Sequence, residues 1–582
     1  MRHGFQWLTI VLVMLICLSF AEEQIKEELA IEKNITIGKQ GGQIVVSTVG
    51  DPKTFNTILA NETSSTDIIN HMYSPLVTLN NVTQEYEPSL AREWKHSDDY
   101  KVWTFPLRRG VRWSDGKPFT ADDVLFSFDV VYNPDVPNAI KDVVMVDGKP
   151  FKVEKGDEYT IKITLPDTFG PILYSLAIVP ILPKHILEKS IKDGTFNQIY
   201  NLSVKPEDLV INGVFMLDKY ASGEKTVLKR NPYYWEADST GKRLPYLDNL
   251  IFLNVPDMNA MLVKFQTQET DMHAFYGDLY KTMQDGEAKG NYTVYELGPG
   301  MGTEHLWFNL NPGTNPETKK PIVEPHKLKW FKERDFRRAV SHAINRPGIT
   351  RAVYRGRATP IYGSVSPANK RWFNPDVPKY EYNPEAAKKL LDNLGFVDRN
   401  GDGMREDKQG NTITFTILSN RENDYRAKVG NIVTDSLKSI GLDARLSLVD
   451  FNMLVTKLAD TYDYEACLLG LTGSLEPVGG MNFYMSTGRT HEWYPNQATP
   501  ATEAEARIDE QMSQYLKAPE YRTQKQHYFE VQRIMSEEQF MIYTVAPHVF
   551  VAVRNKFGNI NPTIIRPYAL WNVEQLFIQR TQ

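Results

Sequence analysis

Residues 103–128, WTFPLRRGVRWSDGKPFTADDVLFSF, combine a strand, a tight turn and the start of a helix in one dense stretch. Trp103 and Phe105 alternate with polar neighbours, which is typical of a half-buried strand. The SDGKP segment has turn chemistry, because Asp can bond the backbone ahead of it and Gly tolerates positive φ. Thr120 is placed to cap a helix whose first turn holds two aspartates, where the helix dipole favours anions. The stretch predicts structure and contains no catalytic set of residues.

Other segments along the chain form an ordered set with this stretch. They are DPKTFN (51–56), YSPL (73–76), EPSLAREW (87–94), PKHI (183–186), NGVF (212–215), RNPYYW (230–235) and DFRRAVSHAINR (335–346). In this order they resemble the family 5 extracellular solute-binding proteins, the oligopeptide- and dipeptide-binding class that serves ABC importers. Thr57 and Val214 stand where that family usually has proline. The resemblance extends over nearly the whole mature chain.

The resemblance implies an α/β, two-lobed periplasmic binding protein fold with an extra inserted domain, mixed sheets and a ligand cleft between the lobes. The implied layout is a discontinuous domain I over 40–85, 205–305 and 543–582, an inserted domain II over 86–204, and a domain III over 306–542. Two crossing strands, near 306–310 and 541–545, are expected to act as the hinge between the lobes.

Length and charge limit the classes of function. A chain of 582 residues is expected to form several domains. Its net charge of −6 gives no basic face of the kind that nucleic-acid binding needs. The sequence also lacks a G-x-S-x-G elbow, an H-E-x-x-H zinc motif and a P-loop. We therefore expect no enzyme, no cofactor and no nucleic-acid partner, and any ATPase must be a separate chain.

The N-terminus has the pattern of an export signal. A short positive region precedes an apolar run over 7–18, and small residues near Ala21 suit a cleavage site. We read 1–21 as a signal peptide and the charged segment 22–39 as a mobile leader. The expected location is the periplasm.

Two cysteines bear on anchoring and on disulfides. Cys17 could carry a lipid, but the bulky Ile16 before it does not suit a lipobox, so lipidation is not expected. If Cys17 leaves with the signal peptide, Cys467 is the only cysteine and no intramolecular disulfide can form. Cys467 lies in an apolar, strand-like run and is expected to be a small buried hydrophobe.

Residues 383–471 alternate between helical and strand patterns. Asn383 can cap a helix that Gly395 ends, and two further helices separate three apolar strands. This β-α-β-α-β order predicts an open, mostly parallel sheet, in which ligands bind outside the carboxyl ends of the strands. The segment after the last strand is therefore a candidate ligand loop.

That loop, 472–477, contains Thr472, Gly473, Ser474 and Glu476. By resemblance, it matches the segment that in peptide binders carries an Asp pairing with the α-ammonium of the peptide, and here Ser474 stands in its place. A buried ammonium needs a carboxylate partner. Either Glu476 substitutes from a longer reach, or the ligand has no ammonium; alternatively, the loop only turns the chain.

Small hydroxyl residues form a second candidate site at Ser64, Ser65 and Thr66, where the family often places such residues against the ligand. A hydroxyl both donates and accepts hydrogen bonds, which suits a peptide backbone or a sugar. The competing reading is a helix cap before 67–72.

Aromatic residues in turn-rich segments are a third set of candidates: Trp372, with Phe373 beside it, Trp493 and Tyr494. Rings on loops can form the floor of a cleft and stack on sugar faces or apolar side chains. A loop tryptophan can equally be a local packing anchor, and Trp307 is expected in the hinge or the core.

The segment 398–409 resembles the start of a calcium loop, with Asp398, Asn400 and Asp402 at alternate positions and Glu406 at position nine. Gln409 stands where the bidentate Glu of position twelve would be. Asp/Gly turns of this kind also occur without metal, so no bound metal is expected here.

The sequence thus predicts a monomeric solute-binding protein of an ABC importer. It would capture a solute by hinge closure and deliver it to membrane permease subunits, with the ATPase acting indirectly. An oligopeptide is the first expectation and an oligosaccharide the alternative. Alternatives of another class are a secreted enzyme, a partner of a sensor protein, or a chaperone-like protein that holds unfolded chains.

Overall fold

The computed structural model describes residues 27–579, apart from residues 61, 139 and 147. The predicted signal peptide and Cys17 lie outside the described residues. Among the residues that are described, no helix combines the length and the apolar character that a membrane crossing requires.

The 103–128 stretch folds as its sequence predicts. Strand Val102–Pro106 leads through the turn to helix Ala121–Tyr132, which Thr120 caps. The backbone N–H of Thr120 donates to Asp123 Oδ2 at 3.0 Å, and the N–H of Lys184 donates to the other carboxylate oxygen at 3.0 Å. Asp123 is buried, so one carboxylate joins this helix to the start of the next. The role of the stretch is structural.

Four sheets of four or five strands organise the part of the chain that the structure describes. The N-terminal sheet has the order Phe215–Ala221, Lys225–Arg230, Asn249–Val255, Gln43–Val49. The signature sheet has the order Lys95–His96, Val102–Pro106, Thr160–Thr164, Lys152–Asp157. The crossing sheet has the order Met272–Tyr276, Val545–Arg554, Tyr292–Pro299, with Ala358–Pro360 also paired to the long strand. The five-stranded sheet has the order Asp443–Val449, Thr414–Asn420, Ala466–Leu471, Thr303–Phe308, Met541–Tyr543.

The other described elements surround these sheets. The α-helices are Thr63–Ile69, Ala121–Tyr132, Ile172–Ile178, Lys184–Lys192, Met258–Gln266, Tyr280–Gly290, Pro325–Lys332, Arg334–Ala343, Arg346–Ala352, Pro384–Leu394, Asp424–Lys438, Phe451–Ala459, Met481–Tyr484, Glu503–Lys517 and Tyr521–Glu538. The short strands pair as Ala30–Glu32 with Glu236–Asp238, Val77–Leu79 with Tyr86–Pro88, Met145–Val146 with Lys149–Pro150, and Phe557–Gly558 with Phe577–Ile578.

The β-α-β-α-β prediction for 383–471 is confirmed. Asn383 accepts from the N–H of Ala386 at 3.0 Å at the start of the first helix, and Gly395 ends it in the left-handed conformation with φ +81°. Strand Thr414–Asn420 pairs in parallel with both of its neighbours, as crossover helices require. Two more strands come from outside this segment: Thr303–Phe308 pairs antiparallel with Ala466–Leu471, and Met541–Tyr543 pairs antiparallel with Thr303–Phe308, which makes the sheet mixed.

The chain passes twice between the crossing sheet and the five-stranded sheet, and the two passages lie side by side. The first joins Tyr292–Pro299 to Thr303–Phe308, and the second joins Met541–Tyr543 to Val545–Arg554. They are bonded to each other, because the N–H of Thr544 donates to the carbonyl of Glu304 at 2.9 Å. The second passage falls within the predicted hinge segment 541–545, whereas the first, between Pro299 and Thr303, lies before the predicted segment 306–310. Hinge motion stays a prediction.

The strands of the N-terminal and signature sheets fall within the segments predicted for domains I and II, and the three-domain division stays a proposal. The leader was predicted to be a mobile segment, and the structure differs from that prediction. From residue 27 its described part lies against the body, where Ala30–Glu32 forms a parallel ladder with Glu236–Asp238. Glu28 also pairs with Arg92 at 3.3 Å. Backbone pairing and charge pairing hold a segment whose composition alone suggested solvent exposure.

Two predictions for the core are confirmed. Cys467 is a free, fully buried thiol in strand Ala466–Leu471. Trp307 is fully buried in the adjacent strand, and its indole N–H donates to the hydroxyl of Tyr464 at 3.2 Å.

Candidate functional site

The candidate ligand loop follows directly from strand Ala466–Leu471 of the five-stranded sheet, at its carboxyl end. Ser474 shapes the loop by donating to the carbonyl of Glu476 at 2.7 Å, and the amide of Asn369 donates to the carbonyls of Ser474 and Leu475 at 3.3 and 3.2 Å. Thr472, Gly473 and Ser474 are exposed. Hydrogen bonds thus fix the backbone of the loop, while its exposed residues stay accessible to a ligand, as a binding loop requires.

Three cavities meet at this loop. The inner cavity, about 290 Å³, is lined by Thr472, Gly473, Ser474 and Glu476. The hinge cavity, about 440 Å³, shares Thr472 and Gly473 and reaches the paired passages between the sheets. The large cavity, about 1050 Å³, touches the loop at Leu475 and is otherwise lined mainly by residues within the leader and the segments 70–92, 174–178, 234–236 and 565–575. Parts of the chain far apart in sequence therefore line cavities that adjoin the loop.

Glu476 is the buried acid of the loop, only 4% exposed. The hydroxyl of Tyr86 donates to its Oε1 at 3.1 Å, and Arg371 Nε lies 3.6 Å from the same oxygen. Burial raises the pKa of Glu476 to about 7, although Arg371 and Tyr86 act in the opposite direction. The carboxylate already has a cationic neighbour, which weakens its case as the partner of a ligand ammonium.

A cluster of three glutamates, Glu32, Glu236 and Glu574, lines the large cavity, and sequence reasoning missed it. Burial and mutual repulsion raise the pKa of Glu236 and of Glu574, and burial with repulsion from Glu87 raises that of Glu32. Each ionised glutamate makes ionisation of its neighbours less favourable. A cation that enters the cavity would therefore be attracted to the cluster. Glu236 directly follows the RNPYYW segment, but nothing local in the sequence connects it to the other two.

The hydroxyl candidates lie elsewhere. Ser64, Ser65 and Thr66 are inside helix Thr63–Ile69 rather than before a helix start, so the expected cap before 67–72 is wrong. Ser65 Oγ is buried and accepts from the N–H of Lys53 at 2.8 Å. None of the three hydroxyl residues lines the cavities described above.

The aromatic candidates pack mainly against protein. Trp372 is 1% exposed and meets Tyr515, Tyr521 and Tyr528 edge-on. Trp493 is 0% exposed and stacks on Phe540 with ring centroids 4.8 Å apart. The two tryptophans and the half-buried Tyr494 do not line the three cavities.

The backbone conformation of Gly473 allows a mutational test of the role of the loop in binding. Its φ is +77°, and a Cβ there would lie 2.4 Å from the carbonyl oxygen of Met301. Gly473→Ala must therefore shift the loop in addition to the left-handed strain of about 1–2 kcal/mol. We expect at least a tenfold loss of solute affinity, measured by calorimetric titration.

The matched control is Gly194→Ala. Gly194 has a φ of +67° with nothing within 4 Å of the added carbon, so it carries the same backbone strain without the collision. Unchanged affinity in Gly473→Ala, or an equal loss in both variants, would contradict the role of the loop.

Comparison with known proteins agrees with the mixed α/β fold described above. The profile of the bacterial extracellular solute-binding proteins, family 5 (middle region), matches residues 85–492. The chain belongs to this family, whose members are solute-binding proteins. A "Probable ABC transporter-binding protein" of Deinococcus radiodurans is 32% identical over 464 residues, covering 76% of this chain and 75% of that protein.

Two further relatives have names that state a ligand. The "Oligopeptide-binding protein AppA" of Bacillus subtilis is 28% identical over 90% of this chain and 91% of its own. The crystal structure of AppA in complex with a nonapeptide superposes with a TM-score of 0.73 over 94% of this chain and 100% of that one, at 25% identity. The "Periplasmic alpha-galactoside-binding protein" of Rhizobium meliloti is 26% identical over 65% of this chain and 56% of its own.

Proposed function

We propose that this chain captures an oligopeptide in the cavities around loop 472–477 and hands it to the permease of an ABC importer. The observation that carries the proposal is the likeness to the B. subtilis oligopeptide-binding protein, which spans 90% of this chain. In this proposal the chain acts outside the cytoplasmic membrane as a monomer, turns over no substrate and relies on a separate ATPase.

The size and chemistry of the large cavity support a peptide. At about 1050 Å³ it lies at the upper end of the range of about 300–1,000 Å³ for small-molecule sites. Its lining combines carboxylates with the guanidinium groups of Arg92, Arg108 and Arg566. A peptide carries an ammonium and a carboxylate at its ends, so it can form charge pairs with both kinds of group, whereas a neutral sugar can only hydrogen-bond to them.

We further propose that the glutamate cluster, rather than Glu476, receives the peptide ammonium. Glu476 is held by Tyr86 and lies beside Arg371, so an ammonium would have to displace or oppose an existing cation. In the cluster, repulsion from Glu32 acts on Glu236 more strongly than attraction by Arg108, and a bound cation would relieve that repulsion. An ammonium site at the glutamate cluster explains how the ligand can carry an ammonium although Ser474 stands in place of the Asp found in peptide binders.

The proposal is tested by calorimetric titration of the mature chain with tri- to pentapeptides and, in parallel, with α-galactoside and cello-oligosaccharides. We expect saturable binding of peptides and none of the sugars. Binding of oligosaccharides alone would replace the peptide with the alternative ligand, for which the serine at position 474 is the supporting observation. Release of a cleaved or modified product would overturn the assignment as a binding protein.

The ammonium proposal has its own test in Glu236→Gln. We expect this variant to bind a free peptide at least tenfold more weakly, because one carboxylate of the cluster is neutral, while the affinity for the N-acetylated peptide stays the same. The matched variant is Glu476→Gln, which should leave the ratio between free and acetylated peptide unchanged. If Glu476→Gln abolishes the preference for the free over the N-acetylated peptide and Glu236→Gln does not, the assignment of the ammonium site is reversed.

A further inference from the structure

An acidic loop lies between helix Pro384–Leu394 and strand Thr414–Asn420, at the amino end of that strand. Carboxylate oxygens of Asp398, Asp402 and Glu406 lie within 4.8 Å of one another. Oxygens bound to one Ca²⁺ at about 2.3–2.6 Å can be up to roughly 5 Å apart, so the spacing accommodates this ion without large movement.

Glu406 supplies an independent observation. The residue is only 4% exposed, and its Oε2 accepts from the N–H of Arg399 at 2.8 Å. Its Oε1 is buried and has no hydrogen-bond partner among the described residues. A buried carboxylate oxygen without a partner is costly, and native proteins usually satisfy such an atom with a bond or an ion.

Neighbouring cations do not compensate this oxygen. The guanidinium of Arg399 donates to the carbonyls of Glu406 and Asp407 at 2.9 and 2.7 Å. The guanidinium of Arg405 donates to Asp392 at 2.6 Å and to the carbonyl of Ile440 at 2.7 Å. Neither guanidinium donates to a side-chain carboxylate of the acidic triad.

We propose that this loop binds Ca²⁺. The ligands in loop order are the side-chain oxygens of Asp398, Asn400 and Asp402, the backbone carbonyl of Met404, and Glu406, and water completes the coordination. This set has positions 1, 3, 5, 7 and 9 of a calcium loop, with Gly403 at position 6 in the required turn conformation at φ +90°.

Position 12 sets the strength of the site. Gln409 is exposed and cannot give the bidentate carboxylate of a sensor loop. We therefore expect a dissociation constant of about 10⁻⁴–10⁻³ M, as in extracellular calcium modules. The ion would fix residues 395–413 against the five-stranded sheet. Because the ligand loop leaves the opposite, carboxyl end of that sheet, calcium should stabilise the lobe without changing solute recognition.

The test is thermal unfolding of the mature chain with EGTA, with CaCl₂ and with MgCl₂. We expect saturating calcium to raise Tm by a few degrees, EGTA to reverse the rise, and magnesium at the same concentration to do far less. Absence of a shift, or an equal shift with magnesium, would overturn the calcium site.

The double variant Asp398→Asn/Asp402→Asn assigns the shift to this loop. Both residues are exposed, so the variant should fold and, with less repulsion, be at least as stable as the original chain in EGTA. It should bind calcium at least tenfold more weakly by calorimetry. Glu385→Gln removes an exposed carboxylate on the preceding helix and should keep the full response. A calcium response retained by the double variant would contradict the proposal.

Discussion

Glu505→Ala is expected to destabilise the chain by about 3–5 kcal/mol, the cost of breaking a buried, hydrogen-bonded charge network. Glu505 is 2% exposed. It accepts from Gln497 Nε2 at 2.8 Å, Thr502 Oγ1 at 2.8 Å and Trp493 Nε1 at 3.0 Å. Truncation leaves the buried donors of Gln497 and Trp493 without this acceptor, at about 1–3 kcal/mol for each one that finds no substitute.

The same network makes the contribution of Glu505 depend on pH. Burial alone would raise its pKa, but the hydrogen bonds from His491 and the other donors lower it from 4.5 to about 2. A group whose pKa is depressed by folding contributes stability above its unfolded pKa and loses it as the pH falls through the folded pKa. The stabilisation should therefore be complete above pH 4.5 and disappear between about pH 4.5 and pH 2.

Urea unfolding at pH 7 and pH 3, followed by tryptophan fluorescence, measures both effects. Glu503→Ala is the control, since Glu503 is an exposed acid in the first turn of the same helix and should cost within about 0.5 kcal/mol. If Glu505→Ala is as mild as its control, the network does not support the segment that carries Trp493.

Glu476→Gln is expected to stabilise the chain at pH 8 and to leave it unchanged at pH 4. Burial raises the pKa of Glu476 from 4.5 to about 7, so the folded chain holds a proton that the unfolded chain has lost between these two values. Stability must therefore fall as the pH rises from 4.5 to 7. At about 1.4 kcal/mol per pKa unit, the gain from a permanently neutral side chain is up to about 3 kcal/mol above pH 7.

Thermal unfolding between pH 4 and pH 8 measures this slope. Glu85→Gln is the matched control, because Glu85 contacts the same Arg371 at 3.0 Å but is exposed. Its charge is the smallest of the contributions to the pKa of Glu476, so its loss should change the slope far less. A Glu476→Gln variant that is less stable than the original chain at pH 8 would show that the ionised pair with Arg371 stabilises the fold.

Local sequence patterns were sufficient to predict much of the fold. The cap at Thr120, the stop at Gly395 and the three parallel strands before the ligand loop depend on residues close in sequence, and each is confirmed. The leader was predicted less well, because its pairing partner Glu236–Asp238 is some 200 residues away.

The candidate site was predictable only in part. The ligand loop follows from strand order, but the glutamate cluster joins residues 32, 236 and 574, which only the folded chain brings together. Trp372 and Trp493 lie in turn-rich segments, and sequence alone does not tell which face of a turn is covered. Their neighbours, Tyr528 and Phe540, come from a later helix and the segment after it.

Hydrogen–deuterium exchange of the mature chain, with and without a saturating tetrapeptide, shows whether a peptide binds in the cavities around the loop. If the peptide is held between the lobes, slower exchange should appear together in the loop 472–477, in the leader around residues 29–33 and in the C-terminal segment 565–575, which line adjoining cavities. Protection confined to one of these regions, or absent from all three while the peptide is bound, would contradict binding in the cleft.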